Sequence, residues 1–150
     1  MHHDAVTLVM VAKDEKVVPE SILQFDGAIT WSTADVIGPT GALSTCKYLR
    51  FYNYNTLGEV DYLVSEKIST SGFNSPALMF DVSYAPFANN TDGIGVLISS
   101  DCGKSFDTVY MKLGADLATS PTYTSQFVPS GSTDWRTDTV FLSNLSSDQL

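Results

Sequence analysis

The sequence predicts an all-β protein, and two observations support that prediction. Runs of β-branched and aromatic residues are short and are bounded by Pro, Asn, Asp and Gly, as in strands that are separated by turns. The turns recur at roughly the spacing of a β-sandwich. We therefore predict a single domain over residues 1–150, a length that is sufficient to bury its own core.

The front half of the chain contains four predicted strands. The first covers residues 6–11, a β-rich run that ends at a polar break over residues 14–16. A short strand at residues 29–31 precedes a turn at 38–41, where Pro fixes φ and Gly permits a positive φ. The other two are an aromatic-rich strand at residues 48–52 and a strand at residues 61–65.

The back half contains four more predicted strands, at residues 78–84, 94–99, 105–111 and 140–143. The connection over residues 101–104 is short, which predicts a tight hairpin between the second and third of these strands. Residues 114–119 indicate a helical turn that is too short to anchor a helix.

The charge and hydropathy of the chain exclude two classes of partner. The net charge is −9, from 17 acidic and 8 basic residues, and the basic residues are scattered. Nucleic acid is therefore excluded as a predicted partner, because binding to phosphates needs concentrated Lys and Arg. No apolar run approaches the roughly 18 residues of a membrane span, so none is predicted.

The residues that enzymes use most often are missing or isolated. The only histidines are His2 and His3, directly after Met1, so the ordinary zinc and Ser-His sites are not expected. Cys102 has no evident base to activate its thiol. Pairs of carboxylates would lie near one another by accident in so acidic a chain, so they do not indicate a glycosidase. We predict that the protein is not an enzyme.

Several ordered blocks of the sequence resemble a known family. They are residues 74–85, Asp92, and residues 96–110, 112–119, 127–130, 134–136 and 140–143, with 30–31, 51–54 and 61–65 upstream. These blocks are similar to the choice-of-anchor, cleaved-adhesin-like domains of secreted Bacteroidetes proteins, which are related in architecture to MAM domains. The resemblance covers residues 29–145 and implies an antiparallel β-sandwich of jelly-roll type.

The chain departs from the family pattern at two places. Family members usually continue into one or two strands beyond the one that matches residues 140–143, whereas this chain stops at Leu150. We therefore expect a sandwich that lacks its last strands. In addition, Glu66 stands where the family usually has Pro, so the turn after residues 61–65 is less well predicted.

The resemblance also implies a function and a location. We expect a non-catalytic adhesion or ligand-binding module, extracellular or at the cell surface, whose partner is a glycan or a surface protein. The alternative is a structural subunit of an extracellular filament, because an incomplete sandwich exposes an unpaired strand edge through which copies can self-associate. Residues 5–11 could then be added to a neighbouring copy, or could fold back into their own sandwich.

Exposed aromatic rings are the usual sugar platforms of β-sandwich binding modules. Trp31, Tyr54 and Tyr123 are the predicted ligand-binding residues. Tyr48 and Tyr52 share one strand face with Tyr54 through their period of two, and we assign them to a half-buried core. Trp135 is predicted to close the end of the sandwich.

Two further kinds of site remain open. Asp61, Asp92 and Asp101 are the predicted ligands of a structural calcium ion, which similar jelly-roll modules often carry. The competing interpretation, which we favour, is that these residues form Asx turns with their own backbone. Cys46 and Cys102 either form a disulfide or serve as two small buried residues, because sequence separation does not supply the geometry of a bridge.

Overall fold

The computed structural model describes residues 5–13, 31–53, 58, 60–65, 68–69, 74–88, 90–101 and 103–142. These residues form nine strands, one short helix and two 3₁₀ turns, which confirms the all-β class. The strands are β1 (Ala5–Lys13), β2 (Ser32–Ile37), β3 (Leu43–Tyr48), β4 (Val60–Val64), β5 (Ile68–Ser69), β6 (Ala77–Val82), β7 (Gly93–Ser99), β8 (Asp107–Leu113) and β9 (Arg136–Phe141). The helix is α1 (Gly114–Leu117), and the 3₁₀ turns are Phe51–Asn53 and Ser132–Asp134.

The largest sheet is antiparallel, with the strand order β4-β1-β7-β8 and with β5 also paired to β1. Residues 7–13 of β1 pair with residues 93–99 of β7, and residues 9–13 pair with β4 on the other side. The predicted first strand is therefore confirmed. It is an interior strand, because it has neighbours of the same chain along both edges.

β7 and β8 form the predicted hairpin, but the connection between Ser99 and Asp107 is longer than the tight turn predicted over residues 101–104. Their register shifts after Val96, which pairs with Tyr110, while Leu97 pairs with Thr108. Val109 is thus the extra residue of a β-bulge, a feature that bends a strand and increases its twist. The predicted helical turn is also confirmed, because α1 follows β8 directly.

β2 and β3 form a separate hairpin over the predicted turn at residues 38–41. Gly38 accepts a hydrogen bond from the N–H of Gly41 at 3.0 Å, and Gly41 has a φ of 79°, which glycine tolerates best. The strand predicted at residues 48–52 is wrong. β3 pairs with β2 only from Leu43 to Tyr48. The chain then forms a 3₁₀ turn over Phe51–Asn53 instead of continuing as a strand.

β6 and β9 form a third antiparallel pair, from Ala77 opposite Phe141 to Val82 opposite Arg136. A buried apolar cluster joins this pair to the large sheet: Ile98 of β7 packs with Val140 of β9 and with Leu142. A second cluster combines Val82, Tyr84 and Leu117. The core therefore lies between the two sheets. No helix within the described ranges is long and apolar enough to cross a membrane.

Candidate functional site

A cleft of about 630 Å³ lies between the β2–β3 hairpin, the end of β6 and the loop over residues 119–135. Both tryptophans of the chain line it. The other described aromatic residues of its walls are Tyr48, Phe51, Tyr52, Phe80, Tyr84, Phe87, Tyr123 and Phe127. Large apolar clefts with a few polar groups are the usual ligand sites of proteins, so this cleft is the candidate site.

Two indole groups attach the hairpin to the rest of the protein. Nε1 of Trp31, immediately before β2, donates to the carbonyl of Asp61 on β4 at 3.4 Å. Nε1 of Trp135 donates to the carbonyl of Ile37, at the other end of β2, at 2.8 Å. The indole N–H groups are thus occupied by structural hydrogen bonds while the same side chains line the cleft. Trp135 was predicted to close the sandwich end, and its link to the hairpin was missed.

Tyr123 is held at the cleft by the backbone of its loop. Its N–H donates to the carbonyl of Pro86 at 2.9 Å, and its carbonyl accepts from the N–H of Ala88 at 3.2 Å. The Tyr123 ring packs edge-on against Phe127, with 5.2 Å between centroids, and the side chain stays 41% exposed. A ring that is braced on one side and open on the other suits contact with a ligand.

The charged lining residues among those described are Lys47, Arg50 and Asp81. Cys46 also lines the cleft and is a free thiol. Partial burial raises the pKa of the Cys46 thiol above its ordinary value, and the negative charge of the neighbouring Asp35 raises it further. A raised pKa keeps a thiol protonated at neutral pH, so this cysteine is not an activated nucleophile.

The structure brings two of the three predicted binding aromatics to one place, because Trp31 and Tyr123 line the same cleft. Tyr54 lies outside the described residues, so its assignment stays a prediction. Cys102 also lies outside them. Within the described residues Cys46 is unbridged, so the disulfide, one of the two alternatives for these cysteines, finds no support there.

The predicted calcium ligands occupy three different settings. Asp92 is buried and accepts a hydrogen bond from the Tyr84 hydroxyl at 3.0 Å. The Asp101 carboxylate accepts from the backbone N–H groups of Lys104 and Ser105, at 3.0 and 2.9 Å. Asp61 lies within β4. The described part of the chain contains no group of three or more His, Cys, Asp or Glu that could hold a metal, so these aspartates do not form one ligand set there.

Asp101 has the geometry of the favoured alternative, an aspartate that closes its own turn. Besides the two backbone bonds, it accepts from the hydroxyl groups of Ser99 at 2.8 Å and Ser105 at 2.6 Å. The hydrogen bonds from Ser105 hold the pKa of this carboxyl below its usual range. The carboxylate therefore stabilises the connection between β7 and β8.

A charged cluster between the two sheets was not predicted. Asp138 of β9 is 8% exposed and accepts from the Tyr110 hydroxyl at 2.6 Å, from Lys112 Nζ at 3.1 Å and from Arg136 Nε at 2.9 Å. Arg136 also donates to the carbonyls of Leu117 and Ala118. The sequence does place residues 110 and 112 on one face of their strand, and residues 136 and 138 on one face of theirs, because side chains alternate with a period of two. That these two strands bring the four side chains together is a feature of the tertiary structure.

The cluster perturbs the titration of its members. Burial by itself would raise the pKa of Asp138, and the hydrogen bonds from Arg136, Tyr110 and Lys112 outweigh it, so the pKa falls to about 2. Burial and the bond to Asp138 raise the pKa of the Tyr110 phenol. Asp138 is thus an anion and Tyr110 a neutral donor at neutral pH, which makes the cluster a polar link between the sheets.

Comparisons with protein-family models, with curated proteins and with solved structures found no match. The function of the chain is therefore inferred from the cleft. Its broad ring faces, few charges and protonated thiol are chemically suited to holding a flat or extended ligand by stacking and apolar contact.

Proposed function

We propose that this protein is a non-catalytic ligand-binding module and that the aromatic cleft is its binding site. One observation carries the proposal: the cleft gathers both tryptophans and the half-open ring of Tyr123 around a volume of about 630 Å³. Rigid aromatic side chains provide large contact areas at low entropic cost, which is why they dominate binding sites.

The proposed framework is a β-sandwich of jelly-roll type. In support, the large sheet and the β6–β9 pair are both antiparallel and share an apolar core, in which Ile98 contacts Val140 and Leu142. Two antiparallel sheets that pack face to face through one core are the elements of a sandwich. The jelly-roll order of the strands comes from the family resemblance.

The ligand class and the location also follow from that resemblance. A glycan or a surface protein is the proposed partner, and adhesion outside the cell or at its surface is the proposed role. The aromatic walls suit either partner, because rings can cover the apolar face of a pyranose or pack against apolar side chains.

The alternative of a filament subunit that donates residues 5–11 to a neighbour is less well supported. β1 pairs with β7 along one edge and with β4 and β5 along the other. Donation would have to break both ladders within the donor. The arrangement instead supports the version in which this strand folds back into its own chain.

Binding can be measured through the protein's own fluorescence, since both tryptophans line the cleft. Labelled protein is screened on an array of immobilised glycans and on immobilised seven-residue peptides, and each positive is titrated by tryptophan emission. Replacing the cleft ring by Tyr123→Ala is expected to weaken binding by about tenfold or more, as for a central contact residue.

Phe141→Ala is the matched control, because Phe141 is an aromatic residue of β9 that is 67% exposed and does not line the cleft. It should bind like the unchanged protein. Equal affinities of the Tyr123 and Phe141 variants would place the site elsewhere, and the absence of any positive on both arrays would refute the proposed function.

A further inference from the structure

The strand edge of β3 borders the aromatic cleft. Residues 44–50 line the cleft without interruption. Successive side chains of a strand point to opposite faces, so an uninterrupted run can line a cleft only where the strand edge itself borders it. β3 pairs with β2 along one edge, and no strand in the described ranges pairs along the other.

We propose that the cleft binds an extended peptide segment, which adds as a further strand to the edge of β3 that no described strand pairs with. The inference rests on the proposed function, because it takes the cleft to be the binding site. An open edge presents a row of backbone N–H and C=O groups that a peptide can pair with. β3 contains no proline, which would remove a donor from that row, and five of its six side chains are exposed.

The walls of the cleft select the side chains of such a peptide. On the hairpin, Ala34 and Val36 of β2 and Cys46 of β3 share the face that lines the cleft. Phe80 and Val82 of β6 also line the cleft. An added strand would direct every second side chain into this space, so the peptide should carry aliphatic or aromatic residues at alternate positions.

Charge selects one end of the peptide. Arg50, two residues beyond the end of β3, is one of only eight basic residues in an acidic chain and lines the cleft. Lys47 does not contribute its charge to the cleft, because its side chain lies on the opposite face of β3 and its Nζ donates to the Thr33 hydroxyl at 2.9 Å. Asp81, the acidic lining residue among those described, accepts a hydrogen bond from the Thr137 hydroxyl on the outer face of the β6–β9 pair. A peptide with an acidic residue opposite the end of β3 is therefore preferred over a basic one.

The test uses immobilised seven-residue peptides with apolar residues at alternate positions, and the same compositions in scrambled order. We expect the alternating set to be enriched. The best binders are resynthesised with N-methyl groups on alternate backbone amides, in both possible phases. Alternate amide N–H groups of a strand point to opposite edges, and only one edge of the added strand would pair with β3. Peptides methylated on the amides of that edge should therefore bind at least about tenfold more weakly, and those methylated on the other amides about threefold or less.

The outcomes separate the peptide proposal from the proposed function. Equal effects of the two methylation phases would mean capture by side chains alone and would overturn strand addition, while the cleft would remain a binding site. Binding of glycans but of no peptide would likewise overturn strand addition and leave the cleft as a binding site. Failure of both glycans and peptides to bind would refute both proposals.

Arg50→Glu tests the charge preference, since Arg50 is exposed and its replacement leaves the apolar walls intact. A peptide with a terminal glutamate should bind the variant several-fold more weakly than the unchanged protein, and the same peptide with glutamine should bind both alike. An equal loss for the two peptides would overturn the charge preference. Thermal unfolding of the variant confirms that the fold is retained.

Discussion

At the scale of single residues, Asp138 is the best-connected side chain between the two sheets. It is 8% exposed, and Lys112 and Arg136, which it pairs with, are each about a third exposed. Removing one partner of a buried charge pair costs more than the pair contributes, because the remaining charges lose their compensation. The exposed parts of the two cations allow water to relieve part of that cost.

Asp138→Asn is therefore expected to lower the free energy of unfolding by about 2–3 kcal/mol, less than for a fully buried pair. Urea unfolding, followed by tryptophan emission, measures the change. Asp107→Asn is the control, because Asp107 is an exposed residue of β8, and it should change stability by about 0.5 kcal/mol or less. A variant of Asp138 as stable as the control would contradict the proposed link.

The pKa of Asp138, lowered to about 2, makes the same contribution dependent on pH. Above the ordinary aspartate pKa of about 3.9, the carboxyl is ionised in both the folded and the unfolded chain, and the stabilisation is complete. Between about pH 4 and pH 2 the unfolded chain takes up the proton first, so the stabilisation declines.

The difference in unfolding free energy between the unchanged protein and Asp138→Asn should therefore shrink as the pH falls from 5 towards 2. Urea titrations at a series of pH values measure it. Asp101 and Asp134 also have lowered pKa values, but both proteins contain them, so their effects cancel. A difference that stays constant over this range would show that Asp138 does not carry the charge.

At the scale of elements, the β7–β8 hairpin depends on a close approach at Gly93. A Cβ added at this buried residue would meet the Leu113 side chain and would lie 2.9 Å from the carbonyl oxygen of Lys112. The leucine can move, but the carbonyl belongs to the neighbouring strand. The glycine is thus required by the packing of the two strands rather than by an unusual φ.

Gly93→Ala is expected to destabilise the protein by about 2 kcal/mol, as overpacking does in tight sites. Gly131→Ala is the control. Its Cβ would find nothing closer than Thr133 Oγ1 at 3.9 Å, and its backbone is extended, so it should be nearly neutral. Thermal unfolding compares the two variants, and similar midpoints would argue against the close approach.

The elements also show how far local patterns predict structure. β6 and β7 are predicted from runs of β-branched and aromatic residues that turn residues bound. In the structure, Leu78, Phe80 and Val82 of β6 lie towards the core. The aromatic run at 48–52 was assigned to a strand for its composition, yet β3 ends at Tyr48. Aromatic residues are also suited to a 3₁₀ turn that lines a cleft, so composition alone could not distinguish a strand from such a turn.

At the scale of the whole molecule, the β2–β3 hairpin is joined to the rest by contacts between distant parts of the chain. The hydrogen bond from Trp135 to Ile37 spans 98 positions, and that from Trp31 to Asp61 spans 30. Because the hairpin forms one wall of the cleft, these links hold the proposed site in shape.

Trp135→Phe keeps an aromatic ring but removes the indole donor. We expect amide hydrogen exchange to rise by about fivefold to tenfold in residues 32–48, as for the loss of one hydrogen bond, with little change in the interior strand β7. Exchange measured residue by residue by NMR tests this. A uniform rise in all strands, or no rise in the hairpin, would contradict a local role.

The sequence by itself determined the all-β class, the β7–β8 hairpin and the turn at residues 38–41. Each depends on residues close together in the chain, because strand composition and turn chemistry act over a few positions. Trp31 and Tyr123 were also selected from sequence, as aromatic residues suited to binding.

Only the tertiary structure decided that Trp31 and Tyr123 line one cleft and that the β3 edge borders it. It also decided that the side chains of Tyr110, Lys112 and Arg136 all donate hydrogen bonds to Asp138. These features join strands far apart in the chain. The register of a strand and the face that it buries depend on the pairing and packing energies of the entire fold, which no local pattern records.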